Sequence, residues 1–467
     1  MFKKLELGNF KRFQNASIDF AKINIIAGPN NSGKSSIIGA MRLICQTLDS
    51  FDDQVTLLLN GPFGDFGTFK DVIYRNHRGR PLEIALELEV SNIDPGKEVQ
   101  LVRLELVFKY SQDDREIYAQ SVRVFLDKSP LIEAKYSREG KRFNIEKIGN
   151  TIIPSTLKNA ISREFRVRHF FPVPLAARLG LFDRDSKSVY AGFTGQFNQG
   201  PDSEVLRKLI RVWTRLSSAI SKADYLGPLR IAPSRTYLFT GERSRRIGVS
   251  GENLTSILAT KDKRRDRTDD RSIQKEVNAW LQKAEMAKEA LLVPLSDRHF
   301  EIRIQNFFTK EDQNIADVGF GHSQVLPFLT GGFALAQGST YFVEQPELHL
   351  HPKAQAELGD FIKDLYKQSV QTVIETHSEH LILRLQQHVA AGDIDANDIR
   401  ILYVGNASLD DDGRPLKEVT PIGLDSKGQF TTPWPKGFFP EKLHESKRLA
   451  KIRLQKQGVE ALEKIQS

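Results

Sequence analysis

Eight consecutive residues stand out for the chemistry they could do together: Gly28-Pro29-Asn30-Asn31-Ser32-Gly33-Lys34-Ser35. They match the pattern G-x-x-x-x-G-K-[ST] at every fixed position. A glycine at each end lets the backbone wrap closely around phosphate oxygens and turn several N–H groups inward. Lys34 is then placed to bridge the β- and γ-phosphates of a nucleotide, and the Ser35 hydroxyl to coordinate Mg²⁺. Ser36 follows in the first turn of an expected helix, whose N-terminus adds partial positive charge. The apolar run Ile23 to Ala27 precedes the loop, and Ile37, Ile38, Met41, Ile44, Cys45 and Leu48 recur after it at helical spacing. Strand, loop and helix come in the order that phosphate binding needs.

Such a loop requires a distal acid. Thr340-Tyr341-Phe342-Val343-Glu344 is a short apolar strand ending in a carboxylate, and Glu344 is placed to hold the hydration shell of Mg²⁺. Gln345-Pro346-Glu347 follows it. A second strand, Thr372-Val373-Ile374-Glu375-Thr376, ends at His377, which from a strand tip can reach a γ-phosphate. Ahead of both lies Gly319-Phe320-Gly321-His322-Ser323-Gln324, a turn opening a helix; Gly321, Ser323 and Gln324 could present backbone donors and a hydroxyl to an anion.

The elements that must position these residues follow from periodicity. Leu82, Ile84, Leu86, Leu88 and Val90 alternate with Glu83, Ala85, Glu87 and Glu89, and period two persists to about residue 146, as in an antiparallel sheet with one wet face. Residues 155 to 290 read as helical and basic, and residues 318 to 405 alternate strand and helix like an α/β core. The expected division is an N-terminal part of the head at 1–150, a mainly helical basic insertion at 151–315, a C-terminal part of the head at 316–408 and a cap at 409–467. Apolar residues are 40% and charged residues 27% of the 467, which suits a globular protein and excludes wholesale disorder. One cysteine, Cys45, forms no internal disulfide, and no run reaches the roughly 18 apolar residues of a membrane helix. A reducing cytoplasm is the expected home. The net charge of +8 invites phosphate polymers without specifying one.

The order of phosphate loop, Gly321-His322-Ser323-Gln324, Glu344-Gln345-Pro346-Glu347-Leu348-His349-Leu350-His351-Pro352 and Glu375-Thr376-His377-Ser378-Glu379-His380 resembles ABC-type ATPases of the AAA-15/AAA-21 kind, relatives of the RecF, SMC and OLD ATPases. Pro433-Trp434-Pro435-Lys436-Gly437-Phe438-Phe439 resembles a small C-terminal domain found on many bacterial members. The resemblance implies a P-loop head with a mixed sheet, an antiparallel β lobe, a helical insertion and an α+β cap. It implies ATP and Mg²⁺ as ligands, and a homodimer or higher even oligomer in which Ser323 faces the partner's nucleotide. Lys11 or Arg12 would lie near the α-phosphate or adenine.

Two positions depart from the pattern. The usual catalytic glutamate is replaced by Gln345, and an amide accepts no proton from water. Either Glu347 or Glu344 then supplies the base, or hydrolysis is slow and ATP mainly clamps the dimer. No coupling glutamine follows a strand after the phosphate loop, which leaves Phe69-Lys70-Asp71 to His77 as the coupling segment. A zinc cluster of His349, His351, His377 and His380 is disfavoured, since each belongs to a separate motif. Asp410-Asp411-Asp412-Gly413 reads as a hairpin turn rather than a nuclease metal site.

By this resemblance the expected function is an ATPase that controls a separate effector, a nuclease, in bacterial antiphage defence. The alternative is a RecF- or SMC-like head in DNA repair or chromosome maintenance, and a membrane importer is a remote third. Nucleic acid is an expected partner, through Arg207, Arg211, Arg243, Arg245 and Arg246.

Overall fold

The computed structural model describes residues 1–94, 96–137, 142–163, 165–174, 201–238, 241, 244, 246–259, 272–405 and 419–433. Its centre is a six-stranded sheet. The strands are β1 (Ile23–Ala27), β2 (Ala223–Leu226), β3 (Thr340–Glu344), β4 (Gln371–Glu375), β5 (Ile399–Val404) and β6 (Val419–Ile422), in the spatial order β2-β3-β4-β1-β5-β6. All neighbours are parallel except β5 and β6. Every residue of β1, β3 and β4 is buried, because both faces of the sheet are covered, so the apolar runs are continuous rather than alternating. In register Glu344 lies opposite Glu375, and Glu375 opposite Ile26, one residue from the end of β1. The carboxyl ends of these strands therefore meet along one edge.

The helices that matter here are α1 (Lys34–Leu48), α2 (Pro201–Ser221), α3 (Ile273–Lys283), α4 (Phe320–Ala334), α5 (Pro352–Lys367) and α6 (Glu379–Ala390). On one side of the sheet, Phe361 of α5 packs edge-on between Phe328 and Phe333 of α4, at 4.9 and 4.8 Å between ring centres. Tyr341 of β3 donates its hydroxyl to the Phe328 carbonyl at 3.1 Å, and the Trp280 indole of α3 donates to the Glu357 carbonyl of α5 at 3.0 Å.

The second large sheet is an antiparallel meander of eight strands. Residues 2–10 and 13–19 form one edge, and strands at 82–91, 99–111, 116–126, 129–137, 142–148 and 151–152 add on in chain order. Its inner face buries Leu82, Ile84, Leu86 and Leu88 against α2, which turns Leu206, Leu209, Val212 and Leu216 inward at helical spacing. On the wet face Arg103 reaches Glu6, Glu87 and Glu105 at 2.5, 2.9 and 2.8 Å. A buried amide sews the two sheets together. Gln371 of β4 accepts from Phe2 N at 2.9 Å and donates to Phe2 O at 2.8 Å.

Among its described residues the stretch 151–315 carries strands as well as the expected helices. It supplies β2, the edge of the central sheet, a two-stranded hairpin at 165–168 and 171–174, and a small antiparallel sheet from residues 237–238, 289–294, 299–305 and 312–314. The four residues of β2 are too short to carry a period of their own, and the long helix before them dominates the local pattern. The cap is reached only at its start, where β6 pairs back on β5. Lys261 to Arg271, Asp410 to Gly413 and residues 434–467 lie outside the described residues. Among the described residues no helix is long and apolar enough to cross a membrane.

Phe361→Ala should destabilise the fold by about 3–5 kcal/mol, the usual cost of deleting a fully buried ring, and lower the thermal midpoint accordingly. Thermal melting followed by circular dichroism checks this; an unchanged midpoint would mean that α4 and α5 do not share one core.

Candidate nucleotide-binding site

The loop between β1 and α1 is shaped by two glycines with positive φ. Gly28 has φ 146°, and a Cβ there would collide with the Val404 carbonyl oxygen. Gly33 has φ 99°, and a Cβ there would run into the Arg12 side chain. Neither position admits a side chain. Lys34 is 4% exposed, and its ammonium donates back to the carbonyls of Gly28 and Pro29 at 3.1 and 2.9 Å. The Ser32 hydroxyl is fully buried and has no hydrogen-bond partner among the described residues. A glycine cradle, a buried cation and an unsatisfied buried hydroxyl together fit a nucleotide phosphate chain.

A cavity of about 720 Å³ opens in front of the loop. Lys11, Arg12, Asn30, Asn31, Gly33, Lys34, Ser35 and Ser36 line it with Gln345 and Glu375. Lys11 and Arg12 thus stand at the cleft. Arg12 donates to the Asn31 carbonyl at 2.8 Å and to the Gly405 carbonyl at 3.4 Å, tying the turn after the first meander strand to the phosphate loop and to the end of β5.

The acids sit on the strand tips. Ser35 donates to Glu375 at 2.7 Å, and Glu375 lies 3.8 Å from the Lys34 ammonium. Glu344 accepts from the Tyr225 hydroxyl at 2.9 Å and from Arg42 at 3.3 Å. Burial pushes the carboxyls of Glu344 and Glu347 up, and burial together with the charge of Glu344 pushes Glu375 up to about 7. Glu347 is 8% exposed; one of its oxygens accepts from the His377 amide at 2.6 Å, and the other has no partner among the described residues. Burial and the nearby Lys34 lower the His377 pKa, favouring the neutral imidazole.

Four residues at this site carry no role that the sequence alone assigns. Glu375 is visible there as part of the strand before His377, but only the parallel register shows it level with Glu344. Arg42 is seven residues beyond Ser35, two helical turns along the same face of α1, a spacing the sequence does contain. Its guanidinium stacks 3.6 Å from the centre of the Tyr225 ring. Arg230 donates to the carbonyls of Glu344 and Gln345 at 3.2 and 3.1 Å, bracing the left-handed turn at Gln345, φ 47°. Tyr225 and Arg230 belong to the β2 segment, whose strand was not expected.

Gly321, Ser323 and Gln324 occupy the first turn of α4 and do not line this cavity. Ser323 donates to the Phe320 carbonyl at 2.8 Å, and Gly321 packs so close to the His349 carbonyl that a Cβ would lie at 2.9 Å. The four motif histidines lie in three places: His349 and His351 before α5, His377 after β4 and His380 within α6.

The raised carboxyls have a consequence for stability. Glu375 keeps its proton up to about 7 in the folded chain, whereas a free glutamate releases it at about 4.3. Between those values the folded chain holds the extra proton, so the nucleotide-free protein should lose stability as pH rises through that window. Asp224, buried and pushed up to about 7, contributes a slope of the same sign. Thermal midpoints from about pH 5 to 8 should fall, and Glu375→Gln should flatten the slope; an identical slope in the variant would show that Glu375 titrates normally.

The family model AAA_21, described as "AAA domain, putative AbiEii toxin, Type IV TA system", matches residues 23–384. No curated protein matches the sequence. Solved structures with some likeness include an SMC head bound to the C-terminal winged-helix domain of ScpA, at 15% identity over 91% of this chain and 98% of that one, TM-score 0.44. Others are the SMC head domain from Thermotoga maritima, at 13% identity over 90% and 98%, TM-score 0.38, and a Pyrococcus furiosus SMC head with an extended coiled coil bound to ScpA, at 15% over 90% and 96%, TM-score 0.40. With a family model spanning both the phosphate loop and the strand-tip acids, the chain belongs to the AAA_21 family of AAA ATPases.

Proposed function

We propose that this chain binds Mg-ATP in the cleft before α1 and hydrolyses it, that two copies close around the nucleotide, and that closure controls a separate effector, a nuclease in bacterial antiphage defence. The observation that carries the reading is the pairing of a side-chain-intolerant phosphate cradle with Ser35 and Glu375 hydrogen-bonded beside it. The loop amides and Lys34 would hold phosphates. Ser35, Glu344 and Glu375 would hold hydrated Mg²⁺, which when bound offsets phosphate charge and orients water. Lys34 would then exchange its carbonyl contacts for phosphate oxygens.

Gln345 lines the cavity and offers no basic atom. Glu347 stands two residues on, with a raised pKa and an unpartnered oxygen, and in this reading takes the proton from the attacking water. Its other oxygen fixes the His377 amide and so positions the imidazole. The signature residues Gly321, Ser323 and Gln324 lie off the chain's own cleft, which supports a role toward a second copy. The family description names a toxin–antitoxin system, in keeping with a chain that works alongside a second gene product.

Three sets of variants test this. Lys34→Ala should cut ATP turnover by about 10²-fold or more without unfolding the chain, measured by a coupled phosphate-release assay; normal turnover would remove the cleft from consideration. If Glu347 is the base, Glu347→Gln should slow hydrolysis by about 10²- to 10⁴-fold while Gln345→Glu changes little. The reverse outcome would make the missing glutamate the limit on the rate. For closure, light scattering with a non-hydrolysable analogue should show ATP-dependent dimers that Ser323→Arg prevents, and persistence of those dimers in the variant would end the trans assignment.

A further inference from the structure

The arginines expected to meet nucleic acid are mostly engaged elsewhere. Arg211 donates to the Ile93 carbonyl. Arg246 is held by Asp49, by the Ala223 and Ser221 carbonyls and by the face of Phe63. Arg243 and Arg245 lie outside the described residues, and Arg207 is an exposed charge on α2.

A different segment presents open cations. Residues 70–80 hold Lys70, Arg75, His77, Arg78 and Arg80, and the one carboxylate among them, Asp71, is occupied by the Thr68 amide and hydroxyl at 2.7 Å each. Among the described residues these basic side chains make no ion pair or side-chain hydrogen bond, and the arginines rest on rings instead. Arg75 and Arg80 lie 5.1 and 5.7 Å from the Tyr74 ring centre, and Arg78 lies 5.4 Å from Tyr110. Stacking on a ring restrains a guanidinium while leaving its N–H edge free to donate. Lys70, His77 and Arg78 line a cavity of about 440 Å³ with Asn76, Gly79 and Gln112 and no carboxylate.

The segment is also held in place. Lys11 N donates to the Val72 carbonyl at 2.7 Å, and the Asn9 side chain donates to the Pro81 carbonyl at 3.0 Å, so the loop hangs by both ends from one turn. Arg75 and Asn76, with φ of 52° and 56°, are consecutive left-handed residues that fold the loop back on itself. The turn from which it hangs also carries Lys11 and Arg12 into the nucleotide cleft.

We infer that residues 70–80 form a binding site for the phosphodiester backbone of nucleic acid. Guanidinium edges on aromatic platforms, with Arg78 at a cavity that no carboxylate lines, suit a chain of phosphates with sugars and bases between them. The site is separate from the nucleotide cleft, so it stands or falls independently of ATP hydrolysis.

The test is fluorescence anisotropy of labelled duplex DNA and of labelled single-stranded RNA, titrated with the full chain over a salt series. At least one probe should bind at low salt with little sequence preference. Arg75→Gln with Arg78→Gln should weaken binding about tenfold or more and reduce the log–log salt slope by about 2, one for each phosphate no longer neutralised. Both positions are exposed, so neutral glutamines leave the core intact, and melting curves verify the fold. Arg298→Gln, at an exposed arginine on the turn between the strands at 289–294 and 299–305, is the control and should leave affinity and slope unchanged. Failure of both probes to bind would overturn the proposal, as would a double variant with wild-type affinity and slope. A weakening equalled by Arg298→Gln would reduce the effect to net charge and overturn it too.

Discussion

Three parallel strands ending level with one another are the constraint on which the site depends. Because Glu344, Glu375 and Ile26 share a register, the phosphate loop leaves β1 beside two carboxylates. A shift of one residue between β4 and β1 would turn Glu375 to the other face of the sheet and break its hydrogen bond with Ser35. The register is secured from both ends. At the start of β4 Thr372 N donates to Lys22 O at 2.9 Å, and at the far end Thr376 N donates to Ile26 O at 3.1 Å and Gln345 N to Glu375 O at 2.7 Å. The sheet thus positions charge as well as backbone.

That charge is held under tension. Glu344, Glu347 and Glu375 are all buried, and each has its carboxyl raised. Lys34 and Arg42 offset them in part, but Arg42 is shared with the Phe63 carbonyl and Lys34 with loop carbonyls. Buried carboxylates with too few cations form a site that gains from taking in a positive ion together with a polyphosphate. Arg230 braces the same strand end through two carbonyls, so the acids cannot relieve their repulsion by moving apart without breaking those bonds.

The sequence made some of this legible and hid the rest for identifiable reasons. The phosphate loop was readable because its chemistry is local, eight residues between one strand and one helix. The meander was readable because Leu82 to Val90 alternate strictly and one face is wet. The partnership of Ser35 with Glu375 spans 340 positions and depends on strand order, which no local pattern states. β2 escaped notice because four buried residues between a long helix and a Gly-Pro turn carry no period. The inward turn of Arg211 and Arg246 was equally hidden, since a solvated arginine and one folded onto carbonyls look the same in a sequence.

The close approach of Gly28 to the end of β5 gives the phosphate loop a backstop. The space behind the loop is already filled by the Val404 carbonyl, so the loop has no slack in that direction. The end of an inner strand thus walls the loop on one side, and the side left open is the one on which Asn30 and Asn31 face solvent.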